Sequence, residues 1–216
     1  GYVGMVDRED FDEFLRVRAA EAGADRRIGT FHQFDRRDDG ICIITWRDKQ
    51  DRDAHALTRL VIGADGANSA VARTALPAQR VPFVFAYHEI IKTPDHIAPE
   101  HFESTRCDVY YQSQVSPDFY GWVFPHGDRV SIGVGSAVRG FSLRHAVTAL
   151  RGITGLDETA TVRREGAPIP LKPLGRWDNG RDVVLAGDAA GLTSGDLGTR
   201  FRLLRGHLSR PACSPR

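Results

Sequence analysis

An excess charge of either sign is missing from this sequence: 29 Lys and Arg stand against 28 Asp and Glu over 216 residues. With a net charge of +1, no bulk field draws the chain to a nucleic acid. Long apolar runs are missing too. No stretch reaches the roughly 18 apolar residues of a spanning helix, so no transmembrane segment is expected. The opening Gly1-Tyr2-Val3-Gly4-Met5 has neither the basic start nor the apolar stretch of a secretory signal. Cysteine is scarce, with Cys42, Cys107 and Cys213 far apart and odd in number. That pattern excludes a disulfide framework and a C-x-x-C metal pair, and it suits a reducing, cytoplasmic compartment. The eight histidines lack ligand spacing, so no metal is expected. What is present is 41% hydrophobic and 26% charged residues, the profile of one or two globular domains with a sizeable core.

Periodicity divides the chain. Phe11, Phe14, Leu15 and Ala19 recur at three- and four-residue spacing, which predicts a helix over Arg8 to Ala22 ended by Gly23. Strands are expected over Thr30–Phe34 and Ile41–Trp46, with Asp38-Asp39-Gly40 as the hairpin turn, and over Leu57–Ile62. From Val81 to Val138 the texture changes to short β-branched and aromatic runs: Val81–Ile91, Cys107–Gln112, Gly121–Phe124 and Val130–Val134. That is the pattern of an antiparallel sheet. Ser142 to Gly152 reads as a helix with a serine N-cap. Pro168, Pro170 and Pro173 mark an extended connection, before the apolar run Val183–Ala186.

Two motifs carry chemistry. Leu185-Ala186-Gly187-Asp188-Ala189-Ala190-Gly191 ends a buried strand on a glycine, where backbone can approach a ligand closely. An acid follows that can accept from ribityl or ribose hydroxyls, then small residues that open a helix N-terminus toward a phosphate or a flavin edge. An aspartate N-cap after a core strand reads the same residues equally well. Val61-Ile62-Gly63-Ala64-Asp65-Gly66-Ala67-Asn68-Ser69-Ala70-Val71 repeats the plan, with Ser69 placed to cap a helix. Its alternative is an ordinary strand–turn–helix with an Asx turn. Gly133-Val134-Gly135 lacks a third glycine and reads as sheet packing. His88 and His126 read as surface or sheet residues.

Together these motifs resemble the FAD-dependent geranylgeranyl reductases, within the wider class that includes the aromatic hydroxylases. In that class G-A-D-G-x-x-S-x-V and G-D-A-A-G are dinucleotide fingerprints, matched here by residues 63–71 and 187–191. The helix that starts Arg8-Glu9-Asp10-Phe11-Asp12 resembles the class R-x-x-F-D helix. Pro117-Asp118-Phe119-Tyr120-Gly121-Trp122-Val123-Phe124-Pro125 fits the P-x-x-Y-x-W-x-F-P segment that sets the reductases apart. Its context looks most like the chlorophyll and bacteriochlorophyll branch. The resemblance covers about residues 2–194.

It implies an α/β protein, α+β over this stretch, with a partial Rossmann-like FAD-binding domain and an antiparallel-sheet substrate domain. The expected division is 1–76 for FAD, 77–166 for substrate, 167–194 returning to FAD, and 195–216 as an atypical tail. Asp65, Gly66, Gly187, Asp188, Ala189, Gly191 and Arg8 are the implied cofactor contacts, though Arg8 reads equally as a salt-bridged helix start. Tyr120, Trp122 and Phe124 are implied for the prenyl cavity, with sheet core as the alternative. The implied reaction is NADPH-dependent reduction of C=C bonds in a geranylgeranyl group, free as the diphosphate or carried on (bacterio)chlorophyll, to the phytyl form. No catalytic residue is assigned. The implied partner is a prenyl small molecule, and peripheral membrane association through it is the one membrane contact the sequence allows. An aromatic monooxygenase and a non-enzymatic remnant are the alternatives.

Two stretches depart from the family. Nothing in residues 1–30 matches its G-x-G-x-x-G loop, and residues 195–216, with five Arg and one Asp, show neither period. The expectation is a chain that starts inside the FAD domain and loses its reading frame near residue 195, inactive and without retained flavin.

Overall fold

The computed structural model describes residues 4–94 and 101–192; the expected tail lies outside them. In chain order they form α1 (Arg8–Glu21), β1 (Gly29–Arg36), β2 (Cys42–Asp48), β3 (Asp53–Thr58), β4 (Val61–Gly63), α2 (Ala70–Ala75), β5 (Phe83–Lys92), β6 (Asp108–Tyr110), β7 (Gly121–His126), β8 (Arg129–Ser136), α3 (Leu143–Ile153), β9 (Thr161–Pro170) and β10 (Val183–Leu185), followed by a 3-10 turn over Gly187–Ala190. The chain is thus a mixture of helix and mostly antiparallel sheet, as its alternating patterns require. It divides into two compact units. Of the described residues, one holds those up to Arg27 together with those between Val84 and Pro168; the other holds Ile28–Phe83 and those from Ile169 to Leu192.

The first unit is built on a five-stranded sheet ordered β6-β7-β8-β5-β9. Side chains alternate between its faces. Val123 of β7, Val130, Ile132 and Val134 of β8 and Ile91 of β5 point to one face and form a core with Ala146, Val147 and Leu150 of α3. Apolar positions at helical spacing drive α3 onto the sheet, and Ser142 caps it by accepting from the amide of His145. The region expected to be an extended proline connection is in part a strand, β9. It lies at the sheet's edge, where Pro168 and Pro170 can miss a ladder bond without cost. Helix α1 also belongs to this unit, where the sequence had placed it with the cofactor domain. Asp7 caps it, Gly23 ends it at φ +98°, and none of its residues is buried.

The second unit carries the antiparallel meander β1-β2-β3 and the parallel pair β4-β10. Arg37, Gly40 and Ile41 close the first hairpin, with Gly40 at φ +83°. The single strand expected over Leu57–Ile62 is broken, because the hydroxyl of Thr58 turns back to the backbone of Leu60. That separates β3 from β4. Phe34, Cys42, Val61, Val71, Trp177, Val183 and Leu185 make this unit's own core.

Candidate functional site

The two strand–turn motifs, whose paired strand residues lie 122 positions apart in sequence, are neighbours in the second unit. β4 and β10 pair in parallel, with Val61 beside Val183 and Gly63 beside Leu185. The amide of Ala186 donates to Gly63 O at 2.9 Å. Gly63 is small for a reason: a Cβ there would lie 2.8 Å from both Leu185 and Val71. Strand and helix therefore approach only at glycine. The turns beyond the strands leave together, which places Asp65-Gly66 and Gly187-Asp188 at the same end of the pair.

Each turn is fixed by its own chemistry. Asp65 accepts from the Ser69 hydroxyl at 2.5 Å and from the amides of Ala70 and Val71 at 2.7 and 3.2 Å. Ser69 in turn accepts from the amide of Ala72 at 2.8 Å. The first three amides of α2 are thereby satisfied within the chain. The helix-cap reading of Asp65 and Ser69 is thus realised in full, and α2 offers no open amide in that turn to a phosphate. Gly66 and Gly187 have φ of +80° and +58°, and a Cβ on either would meet nothing within 4 Å. Both positions combine a backbone that favours glycine with open space above it. Gly191, at φ +73°, differs: a Cβ would sit 2.6 Å from Lys172 O, so this glycine serves packing. Ala189 is buried and Asp188 half-buried. Ala189 and residues 67–69 border a common cavity of about 120 Å³ that Arg73 and Leu174 also line.

The aromatic residues cluster in the first unit. Trp122 and Phe124 stand on the sheet face opposite α3. Phe119 and Tyr120 stack at 4.1 Å, Tyr120 meets Trp122 edge-on at 6.2 Å, and Trp122 lies 6.3 Å from Phe124. Tyr120 and Phe124 are half-buried and Trp122 is buried at 8% exposure. The ladder thus has an embedded middle rung and open flanks. The Gly133-Val134-Gly135 stretch proves to be packing. A Cβ at Gly133 would run into the Trp122 ring, and one at Gly135 would lie 2.5 Å from Phe119.

Arg8 belongs to the sheet unit, where it forms a two-pronged ion pair with Asp12 at 2.9 and 3.0 Å. With the tip of α1 it borders a cavity of about 190 Å³ that His88, His126, Arg129 and Glu165 line. The sequence reading passed over this cluster because its residues come from four separate strands and a helix. His88 was read as a surface or sheet residue, and nothing local pointed to its contact with Ser131. Among the described residues no group of three or more His, Cys, Asp or Glu is arranged to hold a metal. Nor is any helix among them long and apolar enough to cross a membrane.

No protein-family model matches the chain. The curated geranylgeranyl diphosphate reductase of Rhodobacter capsulatus is 56% identical over 199 residues, covering 92% of this chain and 50% of that protein. The chain is a homologue of the geranylgeranyl reductases. The chloroplastic geranylgeranyl diphosphate reductase of Nicotiana tabacum is 38% identical over 88% of this chain and 42% of its own length. The chain therefore spans about half the length, or less, of these curated reductases. Among solved structures, a geranylgeranyl bacteriochlorophyll reductase-like protein from Thermoplasma acidophilum superposes with a TM-score of 0.69 at 21% identity, over 88% of this chain and 51% of its own. That likeness establishes a shared fold.

Proposed function

We propose that this chain supplies part of the cofactor site and the prenyl-binding sheet of a flavin-dependent reductase. Its substrate would be a geranylgeranyl group, as the diphosphate or on a (bacterio)chlorophyll, reduced to the phytyl form with NADPH. The observation that carries the reading is the adjacency of the two strand–turn motifs on β4 and β10. Two left-handed glycines there face open space, as a large planar or phosphorylated ligand requires for close backbone approach. These residues fit one edge of FAD. Gly66, Gly187 and Gly191 would shape the backbone, and Asp188 would accept from hydroxyls. Asp65 would act chiefly by holding its turn, and Arg8 by charge. When bound, the flavin supplies the hydride chemistry.

The chain's own contribution to substrate is surface. Tyr120, Trp122 and Phe124 would offer a continuous aromatic strip to an extended apolar chain, desolvating it and holding it in register. A lipophilic substrate of this kind also supports a transient, peripheral contact with membranes. The aromatic-monooxygenase alternative is not favoured, since the similar curated proteins are named reductases. The test is direct. The intact protein, reconstituted with FAD and NADPH, should convert geranylgeranyl diphosphate or geranylgeranyl-bacteriochlorophyll to products gaining one pair of hydrogens per reduced bond. Mass spectrometry that finds no gain on either substrate, with flavin bound and reducible, would sink the reading.

A further inference from the structure

Behind the aromatic ladder lies a chain of polar groups with one self-consistent direction. Trp122 of β7 and His88 of β5 both stand opposite Gly133 of β8, and the missing side chain leaves room for their rings, 6.2 Å apart. Two residues along β8, on the same face, Ser131 Oγ lies 3.1 Å from the Trp122 indole nitrogen and 3.1 Å from His88 Nδ1. On the other side, His88 Nε2 lies 3.0 Å from a carboxylate oxygen of Glu165.

Donor chemistry fixes the rest. An indole N–H only donates, and an ionised carboxylate only accepts. Ser131 therefore accepts from Trp122, and the neutral His88 carries its hydrogen on Nε2, toward Glu165. Nδ1 is left as an acceptor, and the serine hydrogen goes to it. Every member then has a partner. Burial keeps His88 in this neutral form: it pushes the imidazole pKa below the usual histidine value, helped by the Arg163 and His126 charges and opposed by Glu165. Arg129 of β8 and Asp7 and Arg8 at the tip of α1 face the same cavity.

We propose that His88 is a positioning residue: through the Ser131 hydroxyl it fixes the indole of Trp122, and with it the aromatic ladder on the open face of the sheet. That the ladder carries a prenyl chain rests on the reading above; the Glu165–His88–Ser131–Trp122 chain does not. Fixing matters here because a planar ring that is free to flip presents two different surfaces to its neighbours. Trp122 sits between Tyr120 and Phe124, so its tilt sets both ends of the strip. Protonation of His88 places a hydrogen on Nδ1, reverses the Ser131 hydroxyl and changes the bond that the indole feels.

The test uses the intact, FAD-loaded protein labelled with ¹⁵N-tryptophan, with the Trp122 indole resonance assigned by its loss in Trp122→Phe. In the wild type this resonance should titrate with His88, at a pH below the ordinary histidine value. His88→Asn keeps an acceptor near the Nδ1 position. It should abolish the titration, keep the indole protected from solvent exchange and largely preserve KM for geranylgeranyl diphosphate. His88→Leu and Ser131→Ala should speed indole exchange and raise KM, each about tenfold, as expected for one lost buried partner, with kcat little changed. A resonance that does not titrate, or exchange unchanged in Ser131→Ala, would overturn the proposal. So would an unchanged KM in His88→Leu. If the wild type reduces no prenyl substrate, the functional reading falls, and the NMR arm still decides on the polar chain.

Discussion

The two units place their candidate sites in different materials. In the sheet unit the site is made of side chains: a strip of rings, spaced by the pleat and seated over two glycines. In the unit that carries the strand–turn motifs it is made of backbone, with Gly66 and Gly187 bent into left-handed conformations over open space. Each unit also buries one acid against one arginine, again differently. In the sheet unit Arg151 is the hub. It donates to Glu89 at 2.6 Å, to Thr161, and to the carbonyls of Leu156, Asp157 and Thr159. In the motif unit the acid is the hub. Asp182 is 4% exposed and accepts from Arg36 at 2.5 and 2.7 Å and from Asn179 at 2.8 Å. A site of side chains needs a rigid platform beneath it, and Arg151 ties α3, β5 and β9 into one. A site of backbone needs its strands held in register, and Asp182 does this at the entry to β10.

The most severe way to break the contrast is Arg151→Ala. It leaves the buried Glu89 with only the exposed Arg164, at 3.2 Å, as a cation and strips the carbonyls of Leu156, Asp157 and Thr159, just beyond α3, of their donor. Removing one partner of such a pair costs about 3–5 kcal/mol, a large part of a domain's stability. The sheet unit should lose its cooperative thermal transition, read by calorimetry. A Glu89→Gln partner change should restore part of the loss by removing the stranded charge.

Glycine substitutions sharpen the comparison of sites. Gly133→Ala drives a methyl into the Trp122 ring and should cost about 1–3 kcal/mol through overpacking. Gly187→Ala meets no atom and bears only the left-handed backbone, at about 1 kcal/mol. Function should reverse the order. On the proposed reading Gly187→Ala lowers flavin retention most, while Gly133→Ala leaves flavin in place and raises KM for the prenyl substrate. Fluorescence titration of FAD and steady-state kinetics separate the two.

These cases also show what the sequence could and could not display. Most elements were legible, because alternation and helical spacing are local signals and the caps at Ser142 and Ser69 are spelled in adjacent residues. The two strand–turn motifs were legible as well, but their parallel pairing was not, since the pairing of strands so far apart in sequence is written in neither of them. Strand β9 was missed because its prolines signal disrupted pairing, and only a place at the sheet's edge makes them harmless. The His88–Ser131–Trp122 chain was missed because contact across three strands depends on register, which no single strand encodes. The use of Asp65 remained open, since a cap and a ligand contact call for the same residue.

Acid pH tests the two buried carboxylates together. The Arg36 guanidinium holds the Asp182 carboxyl far below the usual range. For Glu89, burial pushes the pKa up, but bonds from Thr161, Arg151 and Tyr87 outweigh it and leave the group below its ordinary value. In both cases the folded pKa is depressed. The stabilisation is therefore complete above the unfolded value near 4 and is lost as pH falls through the folded value. The melting temperature should drop below about pH 4, with a loss on the order of 2 kcal/mol from Asp182. Asp182→Asn should be less stable at neutral pH and flatter in acid. His88 adds an earlier, smaller loss. Its depressed pKa means that the unfolded chain binds the proton first, so stability declines as pH falls from about 6.5 toward the folded value.

The smallest effect separates cap from ligand at Asp65. Asp65→Ala removes the acceptor for two α2 amides and should cost about 1 kcal/mol. Asparagine caps nearly as well as aspartate, so Asp65→Asn should stay within a few tenths of a kcal/mol of wild type while its negative charge is gone. Urea midpoints measure that difference. Flavin affinity then decides between the two uses of the residue. If Asp65→Asn binds FAD as the wild type does and only Asp65→Ala weakens it, Asp65 acts by shaping the turn, as its full set of internal bonds indicates. If Asp65→Asn loses flavin at unchanged stability, the charge itself reaches the cofactor. The motif unit would then rely on a side chain after all, and the contrast with the aromatic sheet would narrow to one of degree.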